Sequence, residues 1–233
     1  MRAVDLAAIP DGAGLYGQML DALCRDLGFD HASYATISPV TGDIFGHATY
    51  PAEWKAIYLE RGYHLIDPTL SESAQCIAPV EWSRFDRNAR FHTVFSEAAA
   101  FGITPQGLSI PIRGPFGDYG LLSVTSACAE TDWANLVTAS LGELQLRAVR
   151  LHDQVQNSSS LHSQLARPVL SSREVEILQW IASGKSQQDV GDILSISHRT
   201  VEVHLRSSRE KLGALTTAQA IGRAIGFGMI QPR

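Results

Sequence analysis

The 233-residue sequence lacks any uncharged apolar run long enough to span a membrane. Its first thirty residues carry Asp5, Asp11, Asp21, Asp26 and Asp30, with no basic start leading into an apolar stretch, so no export signal is expected. Cysteine is scarce: Cys24, Cys76 and Cys128 are scattered, odd in number and form no CxxC pair. That pattern argues against a disulfide framework or a zinc site and points to a reducing cytoplasm. The eight histidines include no HxxxH or HExxH, and there is neither a GxSxG elbow nor a glycine-rich phosphate loop. No metal, cofactor or catalytic residue is expected, and the chain does not read as an enzyme.

What is present describes a soluble globular protein, with 45% hydrophobic and 18% charged residues and length for one large or two modest cores. The net charge of −5 is unevenly spread. From Arg167 onward nine Lys and Arg face six Asp and Glu, whereas the first 166 residues set ten against eighteen. An acidic body with a mildly basic tail suits a tail that meets a polyanion.

The clearest joint is the polar, serine-rich stretch Gln156 to Pro168. It divides the chain into an N-terminal domain (1–155), a linker (156–168) and a C-terminal domain (169–233). In the first domain Asp11 can cap a helix carrying Leu15, Met19, Leu23 and Leu27, stopped by Gly28. "HASYATI" and "DIFGHATY" read as a hairpin turning at Pro39 to Gly42, and Pro51 opens a helix that Gly62 stops. A helix over Arg90 to Phe101 precedes two strands in "GLSIPIRGPFGDYGLLSVTS", and a long helix fills Thr131 to Val155. The expected fold is α+β: an N-terminal α-β-α sandwich around an antiparallel sheet, followed by an all-α four-helix helix-turn-helix domain.

In the tail, Ser171 and Glu174 have capping-box spacing and open a helix with Val175, Leu178 and Ile181 inward, ended by Gly184. Ser186 to Leu194 is a short second helix with Val190, Ile193 and Leu194 inward. Ser197 caps a third, His198 to Leu212, and Thr216 to Phe227 forms a fourth with Ala220, Ile221, Ala224 and Ile225 on one face. The third helix displays His198, Arg199, Glu202, Arg206 and Arg209 away from Val201 and Leu205. That division fits a helix entering the major groove, and it equally fits the solvated face of a small bundle.

The stretch "LSSREVEILQWIASGKSQQDVGDILSISHRTVEVHLRSSREKLG" closely resembles the DNA-binding domain of the LuxR family. The resemblance implies that Thr200, Val201, His204 and Lys211 lie on or near the DNA backbone and that Glu202 and Arg206 face bases. Lys185 and Arg199 belong to the same expected DNA-binding set. Ser207, where the family often has Asn, and Asp189-Val190-Gly191 are departures from its pattern.

LuxR-type tails also follow phosphoacceptor receivers, which need an early acidic cluster, parallel strands and a late lysine. Here Lys55 is the only lysine before the linker, and the strands read as antiparallel. In "YPAEWKAIYLERGYHLIDPT", Trp54 and Tyr58 lie one helical turn apart, as core residues or as a pocket wall. Asp67 precedes Pro68 as either a helix cap or a ligand contact. This segment resembles the signature of acyl-homoserine-lactone receptors, the quorum-sensing LuxR members, and the resemblance extends through "PVEW", "FGITPQGLSIPIRG" and "FGDYGLLSVTS".

The resemblance implies that Asp67 accepts the ligand amide N–H and Trp54 donates to the lactone carbonyl. Tyr50, with Ser123 or Thr125, would bind the acyl carbonyl. Tyr58 and Trp82 would pack around the ligand, Thr69 would support its amide end and Gly107 would leave space. Tyr34, Ile37, Phe45, Leu70, Phe101, Ile103, Leu108, Ile110 and Leu122 could line the acyl tail. A buried carboxylate is costly without partners, so Asp67 is expected to stay unsatisfied until the lactone arrives. The implied protein is a cytoplasmic regulator with no membrane association. Its implied partners are the autoinducer, a palindromic double-stranded DNA operator, a second copy of itself and RNA polymerase. The alternative is an orphan receptor for a non-cognate or non-lactone molecule.

Overall fold

The computed structural model describes residues 14–37, 44–114, 118–157 and 168–231. Asp11, the turn at Pro39 to Gly42 and most of the linker lie outside them. The described residues fall into two compact units, the first holding residues 14–37, 44–113 and 119–157 and the second chiefly residues 168–231.

In the first unit, helix α1 (Leu15–Leu27) ends where Gly28 turns left-handed (φ 82°) and donates its N–H to the Cys24 carbonyl. Strands β1 (His31–Ile37) and β2 (Ile44–Ala48) form the hairpin, and α2 (Ala52–Glu60) follows with Pro51 at its N-cap rather than in its first turn. The four-residue helix α3 (Pro68–Ser71), the short edge strand β3 (Val80–Glu81) and α4 (Ala89–Ala98) lead to β4 (Gly107–Arg113) and β5 (Tyr119–Thr125). Helix α5 (Glu130–Asn157) closes the unit. The five strands run β2-β1-β5-β4-β3, every neighbouring pair antiparallel.

The sheet is covered on both sides, so β5 is buried at every position and carries no polar alternation. Register sorts its residues by face. Tyr34 lies opposite His47 and Leu122, and its hydroxyl meets His152 Nδ1 of α5 at 2.7 Å. On that α5 side Gly120 admits the His152 ring, since a Cβ there would sit 2.4 Å from it. Ser33, Ser123 and Ser109 stand in one row on the opposite face. That face is packed by Trp54, Tyr63, Trp82, Phe91 and Phe95.

The second unit holds α6 (Ser172–Ala182), α7 (Gln187–Leu194), α8 (His198–Lys211) and α9 (Thr217–Gly226). Both Ser171 with Glu174 and Ser186 with Asp189 form complete capping boxes. Ser197 and Thr216 cap α8 and α9 through their side chains. The Asp189-Val190-Gly191 departure is structural: Asp189 completes a box, and a Cβ at 191 would sit 2.9 Å from the Ile196 carbonyl oxygen across the turn.

Three expected faces need correction. In α6 the buried set is Glu174, Ile177 and Leu178, with Val175 and Ile181 only half-buried, because α6 leans on α8 along the 174/177/178 stripe. In α7 Val190 and Gly191 are buried while Ile193 is 45% exposed. In α9 the small residues Ala220 and Ala224 make the close contact, which leaves Ile221 half-buried and Ile225 exposed.

Candidate functional site

Between the serine-bearing sheet face and helices α2 to α4 lies a cavity lined chiefly by apolar and aromatic side chains, with a few convergent polar groups. Tyr50, Trp54, Tyr58, Asp67, Thr69, Trp82 and Ser123 all line it. Of the residues expected at a ligand site, Gly107 and Thr125 do not. Gly107 lies under Trp82, where a Cβ would come within 2.5 Å of the indole, so the room it leaves is taken by that ring. Thr125 instead interacts with the Tyr50 hydroxyl, as does Ser33.

Asp67 is buried and performs two tasks at once. Pro68 starts α3 at N1, and the Asp67 carboxylate caps it: Oδ1 accepts from Thr69 N at 2.8 Å and Thr69 Oγ1 at 2.7 Å. Oδ2 accepts from the Tyr58 hydroxyl at 2.7 Å. The expectation of an unsatisfied acid is therefore wrong. Three donors are in place, because the turn that buries the carboxylate also supplies them. An ionised carboxylate has about four acceptor positions, so one remains, on Oδ2. Burial raises the Asp67 pKa above the usual carboxylate value, and the Tyr58 and Thr69 bonds oppose that rise. Burial and then the Asp67 charge push both the Tyr50 and Tyr58 hydroxyls upward, so both stay neutral donors.

Trp54 is held by rings on three sides: Tyr58, Tyr63 and Phe101, at 5.8, 5.9 and 5.7 Å between centroids. Its indole N–H has no hydrogen-bond partner among the described residues. Tyr63 is fixed in turn by Glu97, which its hydroxyl reaches at 2.5 Å and which Arg61 pairs at 3.0 Å. Among the expected acyl-lining residues, Leu70 and Ile103 border the cavity, and the Tyr34 position touches it although its side chain reaches the α5 side and His152. Phe45, Leu108, Ile110 and Leu122 do not, because register places them on the α5 side. Lys55 borders it too, donating to the Ala48 carbonyl at 3.2 Å, and was missed for want of any pattern around it.

In the second unit, Arg199, Glu202 and Arg206 are exposed on α8, Lys185 is exposed beyond α6, and Thr200 and His204 are half-exposed. Val201 is a correction: its side chain is 0% exposed, so it anchors α8 and has no surface to offer DNA. Lys211 is engaged from below, its Nζ lying 2.9 and 2.7 Å from the two oxygens of buried Glu174. Ser207 also donates to Glu174, at 2.7 Å, and Glu174 accepts from Ser171 N at 2.6 Å. Burial alone would raise the Glu174 pKa, but these donors overcome it and bring the carboxyl down to about 2. Its partners make Glu174 both the cap of α6 and a tether from α6 to α8.

Residues 16–155 match the autoinducer binding domain, and residues 168–224 match bacterial regulatory proteins of the luxR family. Relatives include the transcriptional activator protein RaiR of Rhizobium etli, 36% identical over 74% of this chain and 72% of that protein. The transcriptional activator protein VanR of Vibrio anguillarum is 36% identical over 78% of this chain and 76% of its own. The quorum-sensing regulator RhlR of Pseudomonas aeruginosa is 32% identical over 97% and 93%. Among solved structures, Escherichia coli SdiA shares the fold, with TM-score 0.70 at 23% identity over 97% of this chain and 94% of that one.

Proposed function

This chain belongs to the LuxR family of quorum-sensing transcriptional regulators, with an autoinducer-binding domain and a DNA-binding domain, and from that premise we propose that its signal is an N-acyl-homoserine lactone. The observation that carries the reading is the one open acceptor position on Asp67, beside the free Trp54 indole N–H, in an aromatic cavity. A lactone offers an amide N–H to the first and a ring carbonyl to the second. Tyr50 and Ser123 then serve the acyl carbonyl, and Tyr58, Thr69 and Trp82 hold the walls. Gly107 acts through Trp82, and Thr125 through Tyr50.

The lactone is bound and not consumed, and the protein works in the cytoplasm; no described helix is long and apolar enough to cross a membrane. Equilibrium binding of a straight-chain lactone series, followed by mass spectrometry of the ligand, tests this. Recovery of intact lactone with the protein is expected; hydrolysed product would favour an enzyme, and no binding would favour an orphan receptor of different specificity. Saturation at 100 times the dissociation constant should also stabilise the sensory domain by about 2.7 kcal/mol, read as a rise in Tm.

The regulator acts as a homodimer, through exposed apolar residues Leu146 and Val149 of α5 and Ile225 of α9. Two α8 helices then meet half-sites about one helical turn apart in a near-palindromic operator, with RNA polymerase as the downstream partner. Residues 1–155, 156–168 and 169–233 serve as sensor, linker and DNA reader. Arg199, Glu202 and Arg206 face the groove, with Lys185, Thr200 and His204 toward the backbone. Arg206→Ala should weaken operator binding by about tenfold or more, equivalent to roughly 1–3 kcal/mol, while lactone retention stays at the wild-type level. Filter binding and ligand retention on the same preparation check both halves.

A further inference from the structure

We infer that Ser109, which does not line the cavity, relays from Trp82, which does, to hold the Ser123 hydroxyl as a hydrogen-bond donor into the cavity, so that a bound ligand must present an acceptor there. The inference rests on the lactone reading above and adds a direction and a positioning residue to it. Ser109 and Ser123 face each other across β4 and β5, with their hydroxyl oxygens 2.7 Å apart. Trp82 Nε1 lies 2.8 Å from Ser109 Oγ. An indole N–H can only donate, so Ser109 accepts from it.

The Ser109 proton then needs an acceptor of its own. Ser109 is 0% exposed, and Ser123 Oγ is the remaining partner among the described residues. Were the serine–serine bond reversed, Ser109 would accept twice and its own O–H would be buried with no acceptor, a rare and costly arrangement. The favoured order runs from Trp82 through Ser109 to Ser123, each bond polarising the next. The Ser123 proton is left without an acceptor among the described residues, and Ser123 lines the cavity. Ser33, next in the same row, interacts with Tyr50 instead. The acceptor that completes the chain has to come with the ligand, and the acyl carbonyl is the group of matching chemistry.

The test uses full-length protein and straight-chain N-acyl-homoserine lactones from butanoyl to dodecanoyl. The best binder is compared with its thioamide counterpart, whose sulfur is a poorer acceptor while the amide N–H is kept. Wild type should prefer the oxygen compound by about tenfold, and Ser109→Ala should shrink that preference about threefold or more; Ser109→Thr, which keeps the hydroxyl, should restore it. The ratio is read on one preparation, so partial loss of folded protein cancels. Trp82→Phe keeps a ring and removes the donor, and it should shift the ratio in the same direction. An unchanged ratio in Ser109→Ala, or in Trp82→Phe if the former does not fold, would overturn the relay alone. Failure of wild type to bind any member would overturn the lactone assignment and the relay with it.

Discussion

Asp67→Asn is expected to weaken the lactone response by well over tenfold while leaving the sensory domain folded. Thr69 aims two donors at Oδ1, so the asparagine oxygen is drawn to that position and its NH2 group falls where Oδ2 was. The Tyr58 hydroxyl can rotate and accept from the amide, which preserves the local structure. The ligand N–H cannot, and two donors then face each other. Loss of a charged acceptor is worth about 1.5–3 kcal/mol. Dose-response curves and circular dichroism on the same variant test the pair of claims; a normal midpoint would remove Asp67 from the site. The same geometry sets a pH dependence. Burial raises the Asp67 pKa, and only the ionised form has all its acceptor positions. Lactone affinity should therefore fall on acidification toward that raised pKa, measurable by titration calorimetry across pH.

Glu174→Leu is expected to produce the largest loss in the DNA-binding unit. It strips the acceptor from Ser171 N, Ser207 and Lys211 together, and so unties the start of α6 from the far end of α8. Breaking a buried ion pair costs about 3–5 kcal/mol; because Lys211 is 39% exposed and can regain water, about 2–3 is the expected range here. Amide hydrogen exchange over residues 198–211 should accelerate and operator binding should fall with it. Lys211→Met in the Glu174→Leu background should recover part of the stability, since it removes the orphaned charge. The folded-state pKa of about 2 lies below the ordinary glutamate value of 4.5. This tether is thus fully present above pH 4.5 and is lost as pH falls toward 2. Protection that stays constant across that window would show that Glu174 does not bind the two helices together.

Local chemistry made much of the fold legible. Gly28, Gly62 and Gly102 stop helices by left-handed turns, and Ser171, Ser186, Ser197 and Thr216 cap them, all within a few residues of chain. What pattern could not reach was partnership across distance. Leu108, Ile110 and Leu122 look like cavity lining because a doubly covered sheet has no polar face to mark which side is which. The Lys211 ammonium is a plausible phosphate contact until Glu174, thirty-seven positions earlier, is found beneath it. For Asp67 the cap reading holds, with a Thr69 hydroxyl donor that no helix-cap rule anticipates, and the acceptor position left on Oδ2 keeps a ligand contact compatible with it.

That shared carboxylate limits how such a sensor can be repurposed. Because the acid that begins α3 is also the one proposed to meet the signal, a biosensor for a different compound cannot be engineered by exchanging it without disturbing the turn that carries it. Altered selectivity has to be sought in the surrounding walls, with every useful analyte still bearing a proton to share with Asp67.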